Sequence, residues 1–291
     1  MFEGIHTAII TPFRNGQVDE EALRKLVERQ IDAGIDGLVP CGSTGESATL
    51  SHLEHRRVVE IVIETTAGRV PVIAGAGSNS TREAIELTMH AKDAGAQGAL
   101  LLSPYYNKPT QEGIYAHYAA VAEETGFPIV VYNIPGRTAS NISAETVGRL
   151  ARLENIVGIK EASGDLDQMA HIIARSPADF TVVSGDDSLT LPLLALGGKG
   201  VISTTANVAP KQMCELVRRF AAGDLAGAQE IHYRLVPLFD ALFCETNPIP
   251  VKAAIAALGW CADEIRLPLT RLGDVHLEHL KVVLKDLGIL R

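Results

Sequence analysis

Short apolar runs alternate along the chain with segments that carry apolar residues at helical spacing, and this alternation occurs eight times. A repeated strand–helix pattern requires parallel strands joined by crossover helices. Eight such units within about 220 residues match the number and size of a (β/α)8 barrel. The pattern therefore predicts an α/β fold of the TIM-barrel type, with a doubly wound open sheet as the competing architecture. The predicted strands span 5–10, 37–40, 70–74, 99–102, 129–132, 156–160, 180–184 and 200–203.

The strand signals stop after Ala206, and the remaining chain has only helical patterns. No linker of low complexity separates this part from the barrel, so we expect it to pack against the barrel. The best boundary is Gly223-Asp224. We therefore expect residues 1–224 to form the barrel with the active site, and residues 225–291 to form a helical C-terminal region. The predicted helices of this part span 210–222, 225–243, 248–258 and 275–287.

Charge and composition exclude several classes of protein. The 291 residues are 46% hydrophobic and 21% charged, which is ordinary for a globular protein. The formal charge of −9 argues against nucleic acid or an anionic membrane as a partner. The N-terminus has an acid at Glu3 and no basic region, and no apolar stretch approaches the roughly 20 residues of a membrane span. The four cysteines are far apart and form no CxxC pair, which predicts a cytoplasmic protein without disulfides or a zinc site.

A lysine ends the sixth apolar run, in the stretch IVGIKEASGD at 156–165. Lysine is seldom buried, so Lys160 at the end of a buried strand needs a reason. Its ordinary pKa of about 10.4 leaves little neutral amine at pH 7, and a low-dielectric site raises that fraction. Such a site activates a lysine for Schiff-base chemistry. The simpler alternative is a lysine that reaches solvent or pairs with a carboxylate.

Polar groups follow the other strands at what would be the same rim of the barrel. The second strand leads into CGSTGES, where free N–H groups and the hydroxyls of Ser43 and Thr44 could hold a small carboxylate. A plain glycine-rich turn is the alternative there. Tyr132 and Arg137 lie in VVYNIPGRT after the fifth strand. A neutral lysine, a phenol that shuttles protons and an arginine that clamps carboxylates are complementary parts of one reaction.

Two other motifs predict no function. GAGSNS at 75–80 has Ser80 where the dinucleotide fingerprint needs a third small residue, so we expect no nicotinamide or flavin cofactor. His52 and His55 lie on one helical face but lack a third ligand nearby in sequence, so we expect no metal site.

Four motifs together give the chain a specific resemblance: GSTGES, PYYNKPTQEG, VVYNIPGRT and IVGIKEASGD. Over essentially its whole length the chain resembles the dihydrodipicolinate synthase family of pyruvate-dependent class I aldolases and lyases. The resemblance implies a (β/α)8 barrel with a C-terminal helical region, and a homotetramer built from two tight dimers. It implies condensation of pyruvate with L-aspartate-4-semialdehyde in the diaminopimelate–lysine pathway, without a metal or organic cofactor.

The resemblance also implies catalytic roles. Lys160 would form the imine with pyruvate, and Tyr132 would move protons during its formation. Ser43 and Tyr106 would complete a proton relay to solvent, with Tyr106 reaching across the tight-dimer interface. The family usually has threonine where this chain has Ser43, so the hydroxyl remains but is less firmly positioned. We therefore expect at most a reduced turnover.

Substrate-binding roles follow in the same way. The N–H groups of Ser43 and Thr44 would hold the pyruvate carboxylate, and Arg137 would bind the carboxylate of the semialdehyde. Gly185 and Ile202 would line the site through their backbone groups.

The family also has a feedback site for L-lysine at the tight-dimer interface. Glu83 could pair with the ammonium group of lysine, and Tyr105 could bond its carboxylate. Ordinary polar groups at helix starts and at an interface are the alternative. The matching positions are Ser47, Ala48, His52, His55, Asn79, Glu83 and Tyr105.

Two alternatives to the synthase stay open at this point. A sister reaction on the same lysine would make the protein an N-acetylneuraminate lyase or a 2-keto-3-deoxy-sugar-acid aldolase, but Arg137 favours an aldehyde that carries a carboxylate. A barrel that binds a small anion without turnover belongs to another class. Lys160 and Tyr132 speak against it, because an anion binder has little use for a neutral amine.

Overall fold

Eight parallel strands form a barrel in the computed structural model, which describes residues 2–290. In space the strands lie in the order 37–39, 4–8, 200–203, 181–184, 156–161, 129–133, 98–102 and 73–75. A parallel bridge between Leu38 and Val72 joins the two ends of this order, so the sheet closes as a barrel. The TIM-barrel prediction is confirmed, and the open doubly wound sheet is wrong. The strands are β1 (Gly4–Ala8), β2 (Gly37–Val39), β3 (Ile73–Gly75), β4 (Gly98–Leu102), β5 (Ile129–Asn133), β6 (Ile156–Glu161), β7 (Thr181–Ser184) and β8 (Gly200–Ser203).

Two strand boundaries differ from the predicted ones by two residues or more, because apolar residues continue beyond the ladder. The first run was predicted to reach Ile10, but β1 ends at Ala8. The N–H of Ile10 donates instead to the side chain of Asn207 at 3.2 Å, and Ile10 stays buried. The third run was predicted from residue 70, but β3 begins at Ile73. Burial alone therefore does not locate where ladder pairing starts or stops.

Nine α-helices lie between residues 2 and 221, and eight of them connect the barrel strands on the outside of the barrel. Asp19 caps the first by accepting from the N–H of Ala22, and Ser143 caps α6 by accepting from Thr146. Ser80 precedes α3, but its side chain makes no capping bond. The helices are α1 (Glu20–Asp32), α2 (His52–Thr66), α3 (Thr81–Ala94), α4 (Gln111–Thr125), α5 (Pro135–Thr138), α6 (Ala144–Leu150), α7 (Leu166–Arg175), α8 (Thr190–Leu196) and α9 (Pro210–Ala221).

Three further helices follow Asp224: α10 (Leu225–Ala241), α11 (Ile249–Ala257) and α12 (Asp274–Asp286). Asp224 caps α10 by accepting from the N–H of Gly227. α10 packs against α9 and α12, and α11 packs against α12. A domain boundary between residues 224 and 225 stays a prediction. Across residues 2–290, none of the helices has the length and apolar character needed to cross a membrane.

The barrel interior is a separate apolar cluster from the larger core between strands and helices. Every strand except β6 contributes buried, inward-pointing side chains to the interior cluster. Tyr132 and Ile202 belong to this cluster and lie toward the carboxyl ends of β5 and β8. Function in such barrels is placed at that end.

Candidate active site

Lys160 lies on β6 with its side chain on the inward face of the barrel. Its register partners are Tyr132 on β5 and Val183 on β7, and both belong to the interior cluster. The residue is only 6% exposed, and its Nζ lies 4.3 Å from the centroid of the Tyr132 ring. Within residues 2–290, its ammonium group forms no hydrogen bond or ion pair. Lys160 is therefore a buried amine without a direct counter-charge.

This environment favours the neutral amine. Burial lowers the pKa of Lys160, Asp186 and Asp187 oppose this shift, and Arg137 adds to it, which together give a pKa of about 8. With such a pKa about a tenth of the amine is neutral at pH 7, against roughly one part in several thousand for a free lysine. The neighbouring Glu161 cannot neutralise it, because consecutive strand residues point to opposite faces.

A glycine next to the lysine makes room for its side chain. A Cβ on Gly185 would lie 3.0 Å from Cε of Lys160 and 2.6 Å from Cβ of Ala162. Either contact would push the strand end or the lysine away. Gly185 thus lets β7 approach Lys160 closely.

The carboxylate of Asp187 organises the end of β8 rather than pairing with Lys160. It is buried and accepts hydrogen bonds from the Ser203 hydroxyl, from the N–H groups of Thr204 and Thr205, and from the Thr205 hydroxyl. Because burial outweighs these bonds, the pKa of Asp187 is raised. The pKa of the half-buried Asp186 is also raised by burial, and Lys160 opposes this shift.

Tyr132 presents both a ring face and a phenol to the site. Burial raises the pKa of Tyr132 well above its ordinary value, while Arg137 and a hydrogen bond with the Ser43 side chain oppose this. The phenol therefore stays protonated at neutral pH. It can donate a proton next to the lysine and exchange it with Ser43.

The loop 41–47 after β2 presents free N–H groups. The N–H of Gly45 donates to Gly42 at 3.0 Å, and that of Glu46 donates to Ser43 at 3.1 Å. The N–H groups of Ser43 and Thr44 make no hydrogen bond to any residue between 2 and 290. Two adjacent free N–H groups are suited to hold an anion.

Arg137 and Thr44 are both bonded to Asn247, a residue of the C-terminal helical region. The exposed Arg137 donates from Nη2 to the backbone oxygen of Asn247 at 2.8 Å. Asn247 Nδ2 donates to Thr44 Oγ1 at 3.0 Å, and Thr44 Oγ1 lies 3.3 Å from Thr204 Oγ1. Sequence reasoning missed Asn247. Its only signal was an Asn-Pro pair that predicts a turn, and nothing local indicated that this turn reaches the rim.

One cavity of about 530 Å³ is lined by part of the predicted active site and by most positions of the predicted lysine-effector site. Ser43, Tyr132 and Arg137 line it. A wider groove of about 880 Å³ next to α1 and α9 is lined by charged side chains such as Arg29 and has no part in this site. The lysine-site positions that line the smaller cavity are Ser47, Ala48, His52, His55, Glu83 and Tyr105.

Several predicted residues do not line this cavity within one chain, and Lys160, Thr44 and Gly185 are among them. Tyr106 is 89% exposed, and Asn79 does not line the cavity, although its carbonyl accepts a hydrogen bond from Asn107 at 2.9 Å. Ile202 is buried among the apolar residues of the barrel interior. The roles of these residues stay predictions.

The polar groups of the predicted lysine site already contact one another. Glu83 lies 3.4 Å from Nε2 of His52 and accepts a hydrogen bond from Ser78. Burial lowers the pKa of His55 to about 4, so this imidazole is neutral at pH 7. In the part of the chain that is described, no three His, Cys, Asp or Glu residues are grouped so that they could hold a metal ion.

The model of the Dihydrodipicolinate synthetase family matches residues 1–287 of the chain. The chain belongs to this family. Membership in the dihydrodipicolinate synthetase family confirms the resemblance carried by the four motifs.

Individual members of the family are similar over the full length. A 4-hydroxy-tetrahydrodipicolinate synthase from Syntrophus aciditrophicus is 58% identical, with 100% of both chains covered. A chloride-inhibited dihydrodipicolinate synthase from Acinetobacter baumannii, solved in complex with pyruvate, is 47% identical with a TM-score of 0.98 and 100% coverage of both chains. A dihydrodipicolinate synthase from Cyanidioschyzon merolae, solved with lysine bound, is 43% identical with a TM-score of 0.97 and 99% coverage of both chains.

Proposed function

We propose that the chain is a 4-hydroxy-tetrahydrodipicolinate synthase that condenses pyruvate with L-aspartate-4-semialdehyde through a Schiff base on Lys160. The observation that carries this proposal is a buried lysine without a counter-charge, whose pKa is lowered to about 8 beside the phenol of Tyr132. Family membership and the shared name of the full-length relatives support the choice of substrates.

The neutral amine of Lys160 attacks the ketone carbon of pyruvate. Its nitrogen forms a bond to that carbon while the ketone oxygen takes up a proton, and loss of water then leaves a protonated imine. The positive nitrogen withdraws electrons, so the methyl group of pyruvate loses a proton and an enamine forms. The enamine carbon attacks the aldehyde carbon of the semialdehyde, the aldehyde oxygen takes up a proton, and the imine is restored. The amino group of the semialdehyde then adds to the imine carbon, and the bond from that carbon to the nitrogen of Lys160 breaks, which closes the ring and frees the lysine.

Proton transfers in these steps are assigned to Tyr132, with Ser43 next to it. The Ser43 side chain interacts with the phenol, and the raised pKa of Tyr132 keeps the phenol protonated at neutral pH. Tyr106 is the proposed third member. Because it is 89% exposed in a single chain, we propose that it enters the site of a second copy across a tight-dimer interface. The proposed assembly is a homotetramer of two such dimers.

The polar groups at the rim of the barrel suggest where the carboxylates of the two substrates bind. The free N–H groups of Ser43 and Thr44 would hold the pyruvate carboxylate. Arg137, oriented by its bond to Asn247, would bind the carboxylate of the semialdehyde. Gly185 admits the lysine, and Gly185 and Ile202 would line the pocket through backbone groups.

Feedback by L-lysine is the proposed regulation, and the cytoplasm is the proposed compartment. Six of the seven predicted lysine positions line the same cavity as Ser43 and Tyr132, so an effector there would contact the reaction site directly. The lysine-bound relative supports this proposal. Titrating lysine against turnover tests it, and a rate that does not change at millimolar lysine would contradict it.

One experiment tests the synthase and separates it from its alternatives. The protein is incubated with pyruvate and borohydride, the adduct is located by peptide mass, and the consumed aldehyde is identified. We expect an adduct on Lys160 and turnover with L-aspartate-4-semialdehyde. An adduct with turnover of sugar-derived substrates only would select a sister aldolase. No adduct at all would select the anion-binding barrel.

A further inference from the structure

A second buried lysine lies outside the proposed catalytic machinery. Lys252 on α11 forms an ion pair with Glu46, with Nζ and Oε1 2.5 Å apart, and both side chains are at most 2% exposed. Glu46 belongs to the GSTGES motif, and its backbone is left-handed with φ of 54°. The other carboxylate oxygen of Glu46 accepts from the backbone N–H of Arg266 at 3.2 Å. Both partners therefore come from the C-terminal helical region.

An aromatic ring of the barrel completes this cluster. Nζ of Lys252 lies 4.1 Å from the centroid of the Phe13 ring, and the guanidinium of Arg266 lies 4.2 Å from the same centroid. Arg266 also holds the Glu54 carboxylate through two N–H groups. The cluster thus joins the loop 41–47, the turn near Phe13 and the segment that follows α11.

Stability alone is a weak reason for such a pair. Removing two charges from water is costly, and well-packed apolar side chains of similar size are often as stabilising. A charge-assisted hydrogen bond does, however, hold its partners in a defined geometry. Here Glu46 belongs to the same loop as Ser43 and Thr44, whose N–H groups make no hydrogen bond to any residue between 2 and 290.

The backbone of Glu46 is directly connected to the proposed pyruvate site. Its N–H donates to the oxygen of Ser43, so the side-chain anchor at Glu46 orients the turn 43–46. The same turn is held at Gly45, whose oxygen accepts from the Thr11 hydroxyl at 2.7 Å.

Asn247, five residues before Lys252, holds Thr44 through a hydrogen bond. The C-terminal region therefore anchors this turn at two points.

We infer that Glu46 and Lys252 are positioning residues for pyruvate: α11 holds the loop 41–47 so that the free N–H groups of Ser43 and Thr44 converge on the carboxylate. The inference rests on the proposed function, because it takes that loop as the pyruvate site. The inference predicts that loss of the pair weakens pyruvate binding more than it weakens binding of the aldehyde.

The test compares Lys252→Met, Glu46→Gln and the double variant Glu46→Gln/Lys252→Met with the wild-type chain. Lys281→Met is the matched control, because it makes the same change in the exposed pair of Lys281 with Glu278. Four quantities are measured: the half-saturating pyruvate concentration for borohydride trapping, the KM of the aldehyde, the Tm, and hydrogen exchange of the peptide that contains residues 41–47.

In the double variant we expect a Tm near that of the wild type, because no unpaired charge is buried. We also expect the half-saturating pyruvate concentration to rise about tenfold, since small displacements of positioning groups have large effects. The KM of the aldehyde should change by less than about twofold, and amides of the loop should exchange faster. Lys281→Met should behave as the wild type.

A double variant with wild-type pyruvate saturation and wild-type exchange in the loop would show that the pair is structural only, and would overturn the inference. A low Tm in Lys252→Met does not decide the question, which is why the neutral double variant is included. If the wild type traps no pyruvate, the proposed function fails. Unchanged exchange in the loop would then overturn the positioning role separately.

Discussion

Lys160 and Lys252 are two buried lysines in the same chain, and their surroundings differ in one respect. Each amine lies over an aromatic ring, at 4.3 Å from Tyr132 for Lys160 and at 4.1 Å from Phe13 for Lys252. Lys252 has the Glu46 carboxylate as its direct partner. Lys160 has no such partner among the residues that the structure describes.

The comparison shows that a buried lysine can either be made reactive or form a structural ion pair. Burial lowers the pKa of both lysines, and the Glu46 carboxylate opposes this at Lys252. A buried lysine in contact with a carboxylate is held as a charged anchor. Lys160 interacts with the charge of Asp186 without direct contact. A buried lysine in such surroundings keeps a reactive neutral fraction.

Lys160→Met should give the largest effect on activity. It removes the only nucleophile that the mechanism uses, so we expect kcat to fall by at least about 10³-fold and the pyruvate adduct to disappear. Folding should be retained, because an apolar side chain replaces an amine whose protonation is disfavoured. Steady-state kinetics and intact mass after borohydride trapping check this. Turnover within tenfold of the wild type would refute the Schiff base.

Lys252→Met should give the largest effect on stability. It leaves the buried Glu46 carboxylate unpaired, which should lower the free energy of unfolding by about 3–5 kcal/mol. Lys160→Met should leave it unchanged or raise it at pH 7. Urea unfolding of the two variants under the same conditions measures the difference. If both variants lose the same stability, the contrast between the two lysines is wrong.

The rate of imine formation should depend on pH through Lys160. Its folded-state pKa is lowered to about 8, so the neutral fraction falls about tenfold per pH unit below that value and levels off above it. The same shift makes the lysine destabilising below about pH 8, and this cost disappears as pH rises toward the ordinary lysine pKa. Trapping rates between pH 6 and 9.5 test this. A rate that keeps rising about tenfold per pH unit up to pH 9.5 would contradict the lowered pKa.

Ser43→Ala should give the smallest effect. Tyr132 keeps its proton but loses the neighbouring hydroxyl, so we expect turnover to fall about tenfold at most, with pyruvate binding through the backbone retained. Ser43→Thr should equal or exceed the wild-type rate, since the added methyl restricts the hydroxyl. Parallel kcat measurements on both variants decide this. An unaltered rate in Ser43→Ala would remove Ser43 from the relay.

Periodicity along the chain was sufficient to predict the barrel, because each strand and helix must bury its own apolar face. Once the strands are parallel, their carboxyl ends meet at one rim. The positions of Lys160, Tyr132 and the loop 41–47 at that rim were therefore accessible from the sequence. The motifs added the family, which the full-length match confirms.

Contacts between distant parts of the chain were decided only by the tertiary structure. Asn247 meets Thr44 across 203 residues, and Lys252 meets Glu46 across 206. No local pattern encodes such pairs, because hydrophobic periodicity states which face is buried and not what lies opposite. The sequence alone thus showed that Lys160 ends a buried strand, which is an unusual place for a lysine. Only folding decided that Lys160 has no charged partner among residues 2–290 and that Lys252 has one, because the presence of a counter-charge depends on which elements pack together.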